Sequence, residues 1–383
     1  MTRSAMARVW RGYVGGSVMA VALATAVWTT PPAVLAQQAA VAPAAASTLP
    51  AKLSDADFWK LASDISEPGG YFQITDNYTS NENEVGRMFT MLRERKVTGG
   101  VYVGVGPEQN FSYIAATQPD MAFIIDIRRM AVMQHLMFKA AFELSKDRAD
   151  FISILFSKPR PAGIDSAVPI QALWNAFFAS PVDPALVTKN HDRILAHLTK
   201  TRKFELTPDE VAQLETVLTA FVQFGPGITT RGAGGGGGNA VTFADLTGWS
   251  VDANSQVQSF LSTEENFRIV KALHDKNLIV PVSGDFGGTK ALRAIGAYLT
   301  ERNTSVNAFY VSNVEQYLFR DSKAPAFYAN VATMPLKDSS VFIRPYALRR
   351  YAGPAALCGI SAYLKAAAEG RITDNNRSLE CIN

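Results

Sequence analysis

Short runs of consecutive apolar residues alternate along this chain with segments of helical periodicity, separated by polar turns rich in glycine. Val101–Val105, the run from Met121 to the acidic Asp126, Leu278–Val282, Val306–Val311 and Ser340–Arg344 read as strands. The uninterrupted apolar run of Val101–Val105 suits a parallel strand buried on both faces. Between them, Leu53–Ile65, Asn83–Lys96, Glu108–Thr117, Glu264–Lys276 and Thr289–Arg302 read as helices, with Ser54 as an N-cap for the first. Met130–Phe156 gives one long helical pattern, and residues 168–224 continue it as Ile170–Ala179, Pro184–Leu198 and Thr207–Phe221. Thr207-Pro-Asp-Glu210 carries the signals of a helix start. This block interrupts the alternation of strand and helix, so it is expected to be a helical insertion. Gly232 to Gly238 predicts a loop.

The densest chemistry lies in Gly100-Val-Tyr-Val-Gly-Val-Gly-Pro-Glu-Gln-Asn110 and the strand that follows. Gly104 and Gly106 permit a tight strand-to-helix turn and let a ligand approach bare backbone. Asp126 lies 20 residues after Gly106, where a nucleotide-binding βαβ unit places the carboxylate that holds ribose hydroxyls. The pattern predicts an α/β fold: a Rossmann-like, three-layer domain with a mostly parallel sheet. A lone G-x-G also serves as a plain turn, and Asp126 can equally cap or pair with Arg128 or Arg129. Glu108 stands where a third glycine is expected, next to Pro107. A carboxylate there disfavours pyrophosphate and suits a cationic sulfonium, an amino group or neutral hydroxyls.

Other candidates follow different strands, yet all should emerge at the carboxyl edge of the sheet, where open α/β folds bind ligands. Asp285 sits in a glycine-flanked loop, and Asn313, Glu315, Gln316 and Tyr317 follow the strand ending at Val311. Asn313 and Gln316 also fit the N-cap and N3 positions of a helix. Upstream, Gly69 to Glu82 is dense in aromatics and amides. Tyr71, Phe72, Asp76, Asn77, Asn81 and Glu82 are candidates for a lid or substrate contact, or for a capped loop before the next helix. No G-x-S-x-G elbow and no Ser/His/Asp set marks a hydrolase, and no catalytic residue is assigned.

The N-terminus changes the picture of where the protein works. Arg3, Arg8 and Arg11 precede a charge-free apolar run, Val14 to Trp28, and Val34-Leu-Ala36 fits a cleavage site. Residues 1–36 therefore read as a secretory signal peptide, which predicts an exported, periplasmic or secreted protein, with an uncleaved anchor as the alternative. The apolar run is short for a membrane span, and none is expected after cleavage. Residues 37–51 read as a flexible leader, 52–345 as the α/β domain and 346–383 as a tail packed on it.

The whole chain carries 37 Lys+Arg against 34 Asp+Glu. Without the three signal-segment arginines the two counts are equal, which argues against a nucleic-acid surface. A small-molecule ligand is the expected partner. The two cysteines, Cys358 and Cys381, suit either a disulfide or two thiols. The four histidines show no metal spacing, no metal is expected, and His191 and His197 read as surface residues.

Several of these segments also carry a resemblance. Gly69-Gly-Tyr-Phe72, Ser80-Asn-Glu82, Gly104-Val-Gly-Pro-Glu-Gln-Asn-Phe111, Phe123-Ile-Ile-Asp-Ile-Arg-Arg129 and Ser312-Asn-Val-Glu-Gln-Tyr-Leu318 look like a largely uncharacterised bacterial exported family. That family resembles class I S-adenosylmethionine-dependent methyltransferases in fold. The resemblance spans about residues 52–345. It implies that Tyr102–Gly106 is the first methyltransferase motif, that Asp126 is the ribose acid, and that Asp285 falls near the fourth motif. Tyr102 stands where an acidic residue is usual. S-adenosylmethionine is made in the cytoplasm, so an exported protein would lack that donor unless it were supplied. Three readings stay open: a methyltransferase, a non-catalytic binding or interaction protein on a repurposed fold, and an enzyme of other chemistry.

Overall fold

The structure is a computed structural model that describes residues 46–232, 240–345, 347 and 356–378. The predicted signal segment, most of the leader, Gly234 to Gly238 and Cys381 lie outside the described residues.

Six strands form one sheet: β1 Val101–Val105, β2 Met121–Asp126, β3 Ile279–Ser283, β4 Val306–Tyr310, β5 Leu336–Ile343 and β6 Leu357–Gly359. Their spatial order is β3-β2-β1-β4-β5-β6. The first five are parallel, and β6 runs antiparallel to β5. β1 and β2 are buried along their whole length, as their unbroken apolar runs require. β6 lies beyond residue 345, so the sheet extends past the expected domain boundary.

Right-handed crossovers assign the helices to layers. Moving outward from β1 to β3, the chain passes through α3 Gln109–Thr117, then α4 Arg129–Leu144 and α9 Glu264–Asp275. These pack together with α2 Val85–Glu94. Moving the other way, from β3 back to β4 and on, it passes through α10 Ala291–Glu301, α11 Val314–Arg320 and α12 Ala324–Val331. α10, α12 and the late helix α13 Ile360–Ala368 form the opposite layer. The result is a Rossmann-like three-layer α/β fold. Strand order reverses between β1 and β4, which places a crevice above their carboxyl ends. α1 Asp55–Ile65 and the segment after it cover the free edge of β3: Glu67 N–H donates to Ser283 O (2.7 Å), and Ser283 N–H donates to Ser66 Oγ (3.0 Å). An edge so capped offers no free ladder to another chain.

The expected single helix Met130–Phe156 is two helices, α4 and α5 Arg148–Phe156. Asp147 breaks it by accepting from Asp150 N–H as the N-cap of α5, a bond that competes with continuing the helix. The insertion supplies α6 Ile170–Ala179, α7 Pro184–Ala196 and α8 Pro208–Phe224. α8 starts with a complete capping box between Thr207 and Glu210. α8 packs on α4 through aromatic contacts such as Phe138–Phe221 (5.6 Å between centroids).

The histidine reading needs correction at His197. Its Nε2 lies 2.6 Å from Glu143 Oε2 in a cluster that includes Lys139, Arg202 and Asp55. Spacing along one helix does not reveal this, because a five-residue π-turn, His197–Thr201, rotates the end of α7 toward α4. His191 is half-buried near Glu215. Cys358 is disulfide-bonded.

Candidate functional site

A cleft of about 280 Å3 opens above the carboxyl ends of β1, β2, β3 and β4. The glycine turn after β1 forms one wall. Gly106 has φ +78°, and a Cβ there would meet nothing within 4 Å. The glycine is thus required by backbone conformation, and its open side faces the cleft. Gly104 does not line the cleft. It lies inside β1, and a Cβ there would collide with Asn110 Oδ1 and the Tyr102 ring.

Asn110, which the sequence did not single out, holds the turn. Its Nδ2 lies within hydrogen-bonding distance of three carbonyls: Val105 (2.9 Å), Gly106 (3.1 Å) and Pro107 (2.7 Å). Its Oδ1 accepts from Tyr102 OH (2.9 Å). Tyr102 is therefore a buried brace for the turn. His135 Nε2 lies 2.9 Å from Gly106 O, and burial pushes its imidazole down to about 4. It is neutral and donates that bond.

Glu108 is fully buried beneath the turn, where both carboxyl oxygens face Ser80 N–H. Burial pushes its carboxyl up to about 8, against hydrogen bonds from its own amide and that of Ser80. It is mostly protonated at neutral pH and does not face the cleft, so the expected repulsion of a phosphate by a carboxylate is not its effect. Its folded value lies above its unfolded one. The folded state then keeps a proton that the unfolded chain releases, and stability falls as pH rises from about 4.5 to about 8 at up to about 1.4 kcal/mol per pH unit. Glu108→Gln is expected to remove this slope. Urea-unfolding midpoints across that window check it, and an unchanged slope would exclude Glu108 as its source.

Asp126 lines the cleft at the end of β2, but it is turned toward its neighbour. Oδ1 accepts from Arg128 N–H (2.9 Å) and Nε (3.1 Å), and Oδ2 accepts from Nη2 (2.9 Å). A carboxylate offers about four acceptor positions, so about one remains. Asp285 lines the cleft from the loop after the neighbouring β3, with Oδ2 bonded to Lys323 Nζ and Oδ1 accepting from Gly287 N–H. Pro107 and Asn313 also line it, and Asn313 sits at the N-cap of α11 with no side-chain capping bond.

The segment Gly69–Glu82 crosses the carboxyl edge. Gly69 and Gly70 are needed because a Cβ on either would strike Arg129 or Ile127 within 2.8 Å. Tyr71, Phe72, Asn77 and Asn81 line the cleft, as does Tyr317 of α11. Phe72 meets Tyr317 edge-on at 4.9 Å. Tyr71 is 82% exposed at the rim.

Other expected contacts lie elsewhere. Asp76 lines a separate hollow beside α8. Glu315 is buried and bonded to Arg344 (2.7 Å) and Tyr328 (2.8 Å), on the side of α11 away from the cleft. Gln316, one position on, is half-buried and also outside the lining. Glu82 lies under the floor and accepts from Tyr310 OH (3.1 Å), Ser312 Oγ and Gln109 Nε2 (3.3 Å). Ser80, Tyr310, Ser312, Arg320 and Lys323 line the cleft without having been singled out. Hydroxyl and cationic residues at a strand end, in loops or at the end of α11 have no signature of their own at the level of periodicity.

The chain matches a family described as a domain of unknown function (DUF7790) over residues 78–165 and 247–364, more than half of its length. It belongs to that family. The two matched segments contain all six strands and both walls of the cleft around Gly106 and Asn313. The DUF7790 match omits residues 166–246, which include α6, α7 and α8, and the cleft-crossing residues before Tyr78. No curated protein matches the chain. Among the described residues no cluster of His, Cys, Asp or Glu could hold a metal, and no helix is long and apolar enough to cross a membrane.

Proposed function

We propose that this protein binds a nucleoside-like small molecule, S-adenosylmethionine or a relative of it, in the cleft at the carboxyl edge. The observation that carries this reading is the convergence of the open Gly106 turn, Asp126 and the aromatic cover of Phe72 and Tyr317 on one cleft at the strand-order reversal. Its volume, about 280 Å3, sits at the lower end of small-molecule pockets and suits one nucleoside rather than a dinucleotide. The turn favours a ligand without phosphate. Pro107 has no N–H to give, and the Glu108 amide is bonded to its own carboxyl. Gly106 backbone would lie against the ligand, and the remaining acceptor position of Asp126 would take a ribose hydroxyl. S-adenosylmethionine would supply a methyl donor.

A second reading, a non-catalytic binding or interaction protein on the same fold, is favoured by the pairing of Asp126 with Arg128, which satisfies most of the ribose position within the chain. Titration calorimetry with S-adenosylmethionine, S-adenosylhomocysteine and adenosine tests both readings. Saturable heat with any of them supports the nucleoside site, and no heat from all three overturns it. Where binding is found, Asp126→Asn is expected to weaken it about ten- to a hundred-fold, the worth of a hydrogen bond to a charged group. Unchanged affinity would remove Asp126 from the site.

We also propose export, on the strength of the basic, apolar and small-residue succession in residues 1–36. Mass spectrometry of protein recovered from the producing cell should find an N-terminus at or near Gln37 outside the cytoplasm. An intact Met1 terminus on soluble cytoplasmic protein would overturn this and restore access to S-adenosylmethionine.

A further inference from the structure

Open α/β folds hold anionic ligands on the free N–H groups of helices that follow the strands. Here the helices after β1, β2 and β3 each begin against a carboxyl group of the chain itself. At α3, the Glu108 carboxyl takes its own amide and that of Ser80, and Pro107 has no N–H. At α4, Asp126 Oδ1 accepts from Arg128 N–H (2.9 Å). At α10, Glu67 fills the position that a bound anion would take. Its Oε1 accepts from Lys290 N–H (3.2 Å) and Ala291 N–H (2.9 Å), and its Oε2 accepts from Asp285 N–H (3.1 Å).

The loop from β3 to α10 spends its other amides within the chain as well. Gly284 N–H donates to Asp126 O, Gly287 N–H to Asp285 Oδ1 and Gly288 N–H to Asp285 O. Space is also taken, since a Cβ on Gly288 would lie 2.9 Å from both Glu67 oxygens. The cations of the lining are matched: Lys323 with Asp285, and Arg320 with Asp321 through Nε (2.8 Å) and Nη2 (3.2 Å). Beside these paired groups the lining presents Phe72, Ile74, Phe286, Val314 and Leu318.

We infer that the cleft takes an uncharged, largely aromatic ligand without phosphate or carboxylate, and that Glu67 is the group that closes the α10 end to anions. An anion entering there would find the helix amides already bonded, and would shed water without gaining donors in return. Within the nucleoside class this favours a plain nucleoside over S-adenosylmethionine, whose amino-acid end carries a carboxylate.

This inference rests on the cleft being the ligand site, and it is tested with two matched pairs by titration calorimetry. The first is adenosine against adenosine 5′-monophosphate. The second is 2-naphthol against 2-naphthyl phosphate. The neutral member of at least one pair is expected to bind, about tenfold or more tightly than its phosphorylated partner. Glu67→Ala frees three amides at α10, so the discrimination should shrink in that variant. In thermal melting, inorganic phosphate should then stabilise the variant more than wild type, against chloride at equal ionic strength. Glu67→Gln, which removes the carboxylate but keeps one acceptor for the amides, serves if the Ala variant does not fold.

Binding of 2-naphthol without binding of adenosine would sustain the inference while removing the nucleoside reading. Equal or tighter binding of the phosphorylated member of either pair would overturn it, and so would S-adenosylhomocysteine binding about tenfold more tightly than adenosine; in both events a nucleoside that binds leaves the nucleoside reading standing. No binding of either neutral compound would also overturn it. So would a folded Glu67 variant that discriminates and responds to phosphate as wild type does.

Discussion

Glu143→Ala is expected to destabilise the protein by about 3–5 kcal/mol, the cost of breaking a buried ion pair from one side. The Glu143 side chain, at the end of α4, is 2% exposed and takes four contacts. Lys139 Nζ lies 2.7 Å from Oε1. Arg202 grips both oxygens, Nη2 at 2.8 Å and Nε at 3.0 Å. His197 Nε2 lies 2.6 Å from Oε2. Lys139 is 1% exposed and would lose its carboxylate while staying buried. Burial alone would push the Glu143 carboxyl up; His197, Lys139 and Arg202 together outweigh it and hold the group down at about 2.

The folded value is below the unfolded one, so the contribution is complete above about pH 4.5 and is lost as pH falls toward 2. The Ala variant should lack that acid limb. Because Arg202 belongs to the segment after α7 and also reaches Asp55 of α1 (2.8 Å), local opening should appear first in the insertion. Urea unfolding as a function of pH, with hydrogen exchange across residues 184–224, checks both parts. A loss below about 1 kcal/mol with unchanged exchange would show that the cluster is not a brace.

Asn110→Ala is the site variant with the largest expected effect, about 3 kcal/mol or more. The Val105 and Pro107 carbonyls and the Tyr102 hydroxyl would lose the Asn110 amide in a buried place, while Gly106 O would keep only its bond from His135. Each such group left unmet costs about 1–3 kcal/mol, less what water entering the gap recovers. Gly106 should then lose its fixed φ, and affinity for a ligand that binds the cleft should fall with stability. Asn110→Asp tests the cause, since it keeps the acceptor for Tyr102 and removes the donor for the carbonyls. Stability loss in both variants is the expected result in denaturant titration. An Asp variant as stable as wild type would show that the carbonyl bonds do not hold the turn.

Local pattern carried much of the architecture. The apolar runs at β1, β2 and β3 became parallel strands because a strand buried on both faces must be apolar throughout. β5, by contrast, begins at Leu336, four residues before the expected Ser340, through an exposed polar stretch that carries no such signal. The signals at Ser54 and Thr207 became helix caps, since a cap is made within four residues. The positive φ of Gly106 and the emergence of Asp126, Asp285 and Asn313 at one edge also followed from residues adjacent in sequence and from parallel topology.

Tertiary structure decided the rest. β6 pairs antiparallel with β5 through only three residues, too short a run to show periodicity. Glu315 turns to Arg344, and Glu82 sits below Tyr310 and Ser312, across separations of 29, 228 and 230 residues. No local spacing encodes such partners. A carboxylate near a strand end can face a ligand, cap a helix or neutralise a distant cation, and these differ only in what the packed chain places beside it. For the same reason Glu108 reads as a charge in sequence and becomes a mostly neutral buried acid in the fold: desolvation is a property of the assembled interior, and its size depends on every neighbour that excludes water.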